Sequence, residues 1–241
     1  MNIAIIIAGG SGQRVNQDIP KQFINVDDKP ILIHTLEEFQ KHPQIDEIGV
    51  VCLDGWHEIL RAYCKQFNIT KLNWVIPGGA SGQESICKGV FYLRDNREMK
   101  DDDIVIIHDG IRPLVDETVL SDIIVKCNKY GNAVTSLPYN EQIFIKKDDM
   151  TTNQYVNRDT VRRVMTPQAY NYSKLLWAYE KGFRENIGIS DSTYANTLMV
   201  DLGETLYFAA GSEKNIKITT IDDIELFKAL KGMKKSDWLK K

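Results

Sequence analysis

The sequence predicts an α/β fold built on a mostly parallel sheet with helices on both faces. Two observations carry this. Short β-rich apolar runs recur along the chain and are near-continuous rather than alternating, as expected of strands buried on both faces. Amphipathic stretches separate them, and that β-α-β-α order is the signature of parallel strands joined by crossover helices.

In chain order, Ile3–Ile7, Glu47–Cys52, Asn73–Ile76, Ile104–Ile107 and Ala133–Leu137 read as strands. Ile31–Lys41, Trp56–Phe67, Glu84–Leu93 and Glu117–Tyr130 read as the helices between them. The alternation stops at Tyr139–Arg158, where Ile143–Ile145 and Tyr155–Val156 flank a polar, turn-like Lys146–Asn153, predicting a projecting β-arm. Beyond it come a helix over Ser173–Phe183, a strand near Thr205–Ala209, a short strand at Asn215–Thr219 and a last helix. Thr220 and Asp223 have the spacing of a capping box for that helix. No repeat, low-complexity tract or linker interrupts the chain, so residues 1–241 are expected to form a single domain.

Bulk properties exclude several classes. The 241 residues carry a formal net charge of −3, which gives no reason to expect nucleic acid as a partner. The first apolar run, Ile3 to Ala8, has no basic segment before it and ends at Gly9-Gly10, so it reads as a strand and not a secretory signal. No apolar run approaches the ~20 residues that span a bilayer, so no membrane contact is expected. The 4 cysteines (Cys52, Cys64, Cys87 and Cys127) are scattered, as expected of reduced core thiols in a cytoplasmic protein.

Three phosphate-binding readings compete for AGGSGQRVNQDIPKQF, which starts at Ala8. A dinucleotide fingerprint would need Gly or Ala where Val15 stands, and a Walker loop would need a Gly-Lys-Ser/Thr run that is missing. The third is a strand-to-loop turn whose amides hold a triphosphate. Gly9, Gly10 and Gly12 permit close backbone approach, Arg14 and Lys21 supply charge, and Pro20 stiffens the segment presenting Lys21. A glycine-rich turn carrying two surface cations is the plain alternative. Asp109 follows a strand and should lie at the carboxyl edge of the sheet, free either to hold Mg²⁺ or to cap the next turn. Arg112 could pair with an acid or hold an anionic ligand.

These segments together resemble the cytidylyltransferases of the IspD/TarI type, which act on methylerythritol phosphate or ribitol phosphate and share a GT-A-like, Rossmann-type fold. Six blocks occur in the family's order. They are the opening loop with Pro20-Lys21-Gln22, Gly78-Gly79 with Ser85, His108-Asp109 with Arg112-Pro113, Arg158, Thr166-Pro167-Gln168, and Asn215 to Thr219. The resemblance implies that CMP passes from CTP to a polyol phosphate with release of pyrophosphate, and that Mg²⁺ is the cofactor, held by Asp109. Arg14, Lys21 and Lys217 resemble the catalytic cations. Ala8, Gly9, Gly10, Gly12, Gly79, Ala80 and Ser85 resemble nucleotide-binding positions, and Arg112, Gln142, Arg158, Thr166 and Asp191 acceptor-binding ones. Arg158 resembles an arginine that reaches the acceptor in a neighbouring subunit, so a homodimer through the 139–158 arm is implied.

The chain departs from the pattern at three places. Gly82 stands where the family usually has an arginine, and the acidic residue expected before it is missing or displaced. Glu141-Gln142 replaces an Asp-Thr pair, and Ser190-Asp191-Ser192-Thr193 replaces a more acidic run. PILIHTLEEF and Ile111 resemble the ribitol-phosphate branch, so D-ribitol 5-phosphate and CDP-ribitol are the expected acceptor and product. 2-C-methyl-D-erythritol 4-phosphate, or another acceptor or NTP, is the alternative. His34, His42 and His57 read as packing or helix-surface residues, and His108 as a loop-orienting one.

Overall fold

A computed structural model of the chain describes residues 1–10, 19–189 and 194–232. Among these residues the main sheet has 7 strands. Strand β1 (Asn2–Ala8) pairs in parallel with β4 (Glu47–Cys52) on one side and β6 (Ile104–Asp109) on the other. Beyond β4 lies β5 (Leu72–Pro77), also parallel. Two short strands, β2 (Asn25–Val26) and β3 (Lys29–Pro30), form a separate small hairpin after the first loop.

The predicted crossover helices are present as α1 (Ile31–Lys41), α2 (His57–Gln66), α3 (Gly82–Asn96) and α4 (Glu117–Tyr130). Helix α4 shows how sequence sets its limits. The Asp116 carboxylate accepts the Val119 N–H at 2.9 Å, and Gly131, at φ 81°, ends the helix in a left-handed conformation that glycine adopts without penalty. Side chains alternate along β1: Ala4, Ile6 and Ala8 pack with α1, α2 and α4 on one face, while Ile3 and Ile5 pack with α3 on the other. Helices therefore cover both faces, as the uninterrupted apolar strands required. All four cysteine thiols are free and buried, and burial pushes each up to about 12.

After β7 (Asn132–Pro138) the predicted arm appears as β8 (Ile143–Lys146) and β9 (Thr152–Val156), an antiparallel pair outside the main sheet. The sequence reading missed the next strand, β10 (Arg162–Asn171), which is antiparallel and lies between β7 and β6. Pro167 has no N–H to give a ladder, which disfavours a central strand. The strand tolerates it because the register shifts between Met165 and Gln168, where the ladder is already interrupted. Helix α5 (Tyr172–Glu185) follows as expected, and α6 (Ala195–Asp201) was not anticipated. Strand β11 (Phe208–Ala210) pairs in parallel with β7.

The expected strand at Asn215–Thr219 is not one. A backbone bond from Ile218 N to Ile111 O at 2.9 Å anchors it, and Ile218 is buried with Val26, Ile31 and Phe227 in a small third cluster. The final helix, α7 (Ile221–Gly232), is preceded by the anticipated box, with Asp223 N donating to Thr220 Oγ1 at 3.2 Å and Thr220 N to Asp223 Oδ2 at 2.8 Å. Within the described residues no helix is long and apolar enough to cross a membrane. His34 and His42 are buried, as expected of packing residues.

Candidate active site

At the carboxyl ends of β1, β5 and β6 the chain leaves the sheet in loops that surround a cavity of about 460 Å³. Parallel strands deliver their following loops to one edge, which is where α/β folds form ligand sites. Two glycine loops meet there backbone to backbone. A Cβ added at Gly9 would lie 3.1 Å from Gly78 Cα, so a side chain at the crossing would press the two backbones apart.

Buried Gln22 fixes the first loop, because its Nε2 donates to Ala8 O at 2.8 Å and to Gly10 O at 3.0 Å. Nothing local to Pro20-Lys21-Gln22 in the sequence marks Gln22 for this task, because both carbonyls it binds lie more than ten residues away. Lys21 precedes it in a single 3₁₀ turn, Lys21–Phe23, set by Pro20, and lines the cavity.

Ser81 caps α3 and accepts Glu84 N–H at 3.1 Å. Ser85 Oγ accepts from Gly79 N at 2.9 Å and donates to Ser81 O at 2.9 Å, which ties the second loop closed. Glu84 supports that loop from outside the cavity. Its Oε2 accepts Ala80 N–H at 2.8 Å, and its side chain crosses so close over Gly79 that an added Cβ would lie 2.6 Å from it. Among the described lining residues Asp109 is therefore the sole carboxylate.

Asp109 ends β6 and is clasped by two cations. Its Oδ2 lies 2.9 Å from Arg112 Nε and 3.3 Å from Lys217 Nζ. Burial pushes its carboxyl up, but Lys217 and Arg112 outweigh burial and hold it at about 2, ionised at every working pH. Arg112 also donates from Nη1 to Asn215 O at 2.8 Å. Asn215 Nδ2 in turn donates to Thr166 O at 2.8 Å, and Thr166 Oγ1 accepts Asp109 N–H at 3.1 Å. His108 lies fully buried beneath this turn, with Nε2 3.1 Å from Arg112 O, and burial lowers it to about 4, so it is neutral. It orients the loop, as the sequence suggested.

The structure thus brings Ala8, Gly9, Gly10 and Lys21 together with Gly79, Ala80, Ser85, Asp109 and Lys217 around one cavity. A second, smaller cavity of about 260 Å³ holds Arg112, Arg163, Met165 and Asn215, and Lys217 borders both. Thr166 is buried, and its Oγ1 accepts the Asp109 N–H while its O–H stays available as a donor. Gln142 is exposed at the base of the arm. Arg158 lies apart in a third cavity with Tyr139, Asp159 and Phe208, donating to Asn140 O at 3.0 Å. Gly12, Arg14 and Asp191 fall outside the described residues.

The family model for 2-C-methyl-D-erythritol 4-phosphate cytidylyltransferase, IspD, matches residues 2–231. A ribitol-5-phosphate cytidylyltransferase of Lacticaseibacillus paracasei is 60% identical over 229 residues, covering 95% of this chain and 97% of that protein. A 2-C-methyl-D-erythritol 4-phosphate cytidylyltransferase of Clostridium botulinum is 35% identical over 225 residues, covering 93% of this chain and 95% of that protein. Among solved structures, the 4-diphosphocytidyl-2C-methyl-D-erythritol synthase of Anaerococcus prevotii superposes with a TM-score of 0.80 at 26% identity, covering 96% of each chain.

Proposed function

Because the chain belongs to the IspD family of cytidylyltransferases and is a CTP-dependent nucleotidyltransferase, we propose that it makes CDP-ribitol from CTP and D-ribitol 5-phosphate. The observation that carries the choice of acceptor is the 60% identity, over 95% of the chain, to a ribitol-5-phosphate enzyme, against 35% to a methylerythritol-phosphate one.

In this reaction an oxygen of the acceptor phosphate attacks the α-phosphorus of CTP. The bond to the bridging oxygen breaks, and pyrophosphate leaves with that electron pair. Both reactants are anions, so the protein's task is to align them and offset the charge gathering on the transferring phosphoryl group. The loops at 8–10 and 79–85 hold the nucleotide by their amides. Lys21 and Lys217 line the cavity from different loops and supply positive charge there. Arg112 lines the smaller cavity that Lys217 also borders, and on this reading it holds the acceptor's phosphate. No general base is needed, since a phosphate monoester is already largely ionised near neutral pH.

Asp109 suits Mg²⁺, an ion usually bound by one or two carboxylates together with substrate phosphates. No cluster of three or more His, Cys, Asp or Glu side chains that could hold a metal alone occurs among the described residues, so substrate oxygens would complete the shell. When bound, the ion would neutralise part of the triphosphate's charge.

The expected result is pyrophosphate release from CTP and Mg²⁺, with kcat/KM higher for D-ribitol 5-phosphate than for 2-C-methyl-D-erythritol 4-phosphate, and abolished by EDTA. Preference for the second acceptor would overturn the assignment.

The arm supports a homodimer. Phe144, Ile145 and Tyr155 leave apolar surface exposed on β8 and β9, and Arg158 at its base is separated from the cavity it would serve. In a dimer, Arg158 of the partner subunit would reach the acceptor. Sedimentation should give twice the 27.5 kDa chain mass for the wild type and a monomer for Phe144→Asp/Tyr155→Asp. A monomeric wild type would refute this.

A further inference from the structure

We propose that Tyr194 is a nucleotide-binding residue, its ring forming the wall against which the nucleoside of CTP packs. This rests on the CTP-dependent reading above and adds a residue to the same site. Tyr194 is the only aromatic side chain among the described residues lining the main cavity, where the other large apolar groups are Ile7, Leu53 and Ile111. It is 44% exposed. A half-exposed ring at the mouth of a polar cavity offers a face to a ligand, and aromatic faces accept bases and sugars without needing a particular hydrogen-bond pattern.

Its place in the cavity identifies which ligand. Lys217 borders both the main cavity and the smaller one beside Arg112, whereas Tyr194 lines the main cavity alone. The ring therefore belongs with the glycine loops and not with the acceptor side. The Lys217 ammonium stands 5.8 Å from the ring centroid, within cation–π range, so the ring reaches the point where the nucleotide meets the transfer lysine. Gly82 provides the space. A Cβ there would lie 3.5 Å from Tyr194 Cε1, so the ring occupies room over the loop that a long side chain at 82 would need.

The ring is also held in register with that loop. Gln83, the next residue along α3, is buried; its Nε2 donates to Gly188 O at 2.8 Å and approaches Tyr194 O at 3.4 Å, while its Oε1 accepts from Tyr179 OH at 2.7 Å. Tyr194 N donates to Thr197 Oγ1 at 2.8 Å, which fixes the start of α6. The first turn of α3 and the start of α6 are thus tied through one side chain, which keeps the backbone of Tyr194 beside Gly82.

The test is CTP affinity measured by calorimetry without acceptor, on the wild type, Tyr194→Phe and Tyr194→Ala, together with ligand-free thermal midpoints. Tyr194→Phe is expected to bind CTP within about twofold of wild type, because the ring is what matters. Tyr194→Ala should bind about tenfold more weakly, with its ligand-free midpoint and its acceptor KM at saturating CTP unchanged. Tyr194→Ala binding CTP like the wild type would overturn the proposal alone, as would Tyr194→Phe falling as far as Tyr194→Ala or a parallel loss of ligand-free stability. A wild type that does not bind CTP would sink the nucleotidyltransferase reading beneath it.

Discussion

Lys217→Ala is expected to lower kcat for pyrophosphate release by about a hundred- to a thousandfold, the range seen when a group placed at developing transition-state charge is removed. The fold should survive. Ile218, next to it, is fully buried in the third cluster and bonds through its N–H to Ile111 O, so the backbone at 217 is anchored independently of the lysine side chain. The carboxylate that Lys217 approaches also remains paired, because Arg112 Nε sits 2.9 Å from Asp109 Oδ2. The measurement is steady-state kinetics beside a thermal midpoint. Turnover within a factor of a few of wild type would remove Lys217 from the transfer step. A collapse in stability would show that its ion pair with Asp109 is structural.

Gly49→Val should give the largest loss of stability among substitutions remote from the site. Gly49 lies mid-strand on β4, opposite Trp74, and an added Cβ would sit 2.0 Å from two atoms of the indole ring. No small adjustment relieves that contact. Trp74 is buried, its Nε1 donates to Glu47 Oε1 at 2.8 Å, and its ring stacks on Tyr92 with centroids 4.5 Å apart. Overpacking a close-packed core costs about 1–3 kcal/mol and sometimes more. With this many linked contacts the upper end applies, a drop of roughly 6–12 °C in thermal midpoint for a chain of this size. Gly10→Ala, whose Cβ would meet nothing within 4 Å, is the control and should leave the midpoint nearly unchanged. A Gly49→Val midpoint equal to that of the control would mean that the indole can move at little cost.

Much of this was legible in the chain. Strands buried on both faces must be apolar throughout, so β1, β4 and β6 announced themselves, and the helices between them showed their one-sided patterns. Glycines beside a Pro-Lys pair marked a loop where backbone amides and cations converge, and the structure does place Lys21 on the same cavity as Gly9 and Gly10. The arm was readable because a polar turn divided two short β-rich runs.

Where readings failed, the deciding contact was long-range. Strand β10 was hidden because a local rule about Pro167 cannot register that the partner strands tolerate a break in the ladder there. The segment 215–219 looked like a strand because its apolar residues alternate, yet its Ile218 serves a small cluster and Asn215 is spent on Thr166 O.

By itself, then, the sequence determined the layered α/β architecture and the chemical types of the site, because burial periodicity and the glycine–cation pairing are local properties of the chain. Only the tertiary structure decided that Lys217 and Asp109, 108 positions apart, share an ion pair, that Lys217 borders two cavities, and that Tyr194 fills the room above Gly82. Those are facts of distance between remote segments, and they exist only after packing has brought the loops at the sheet's carboxyl edge together.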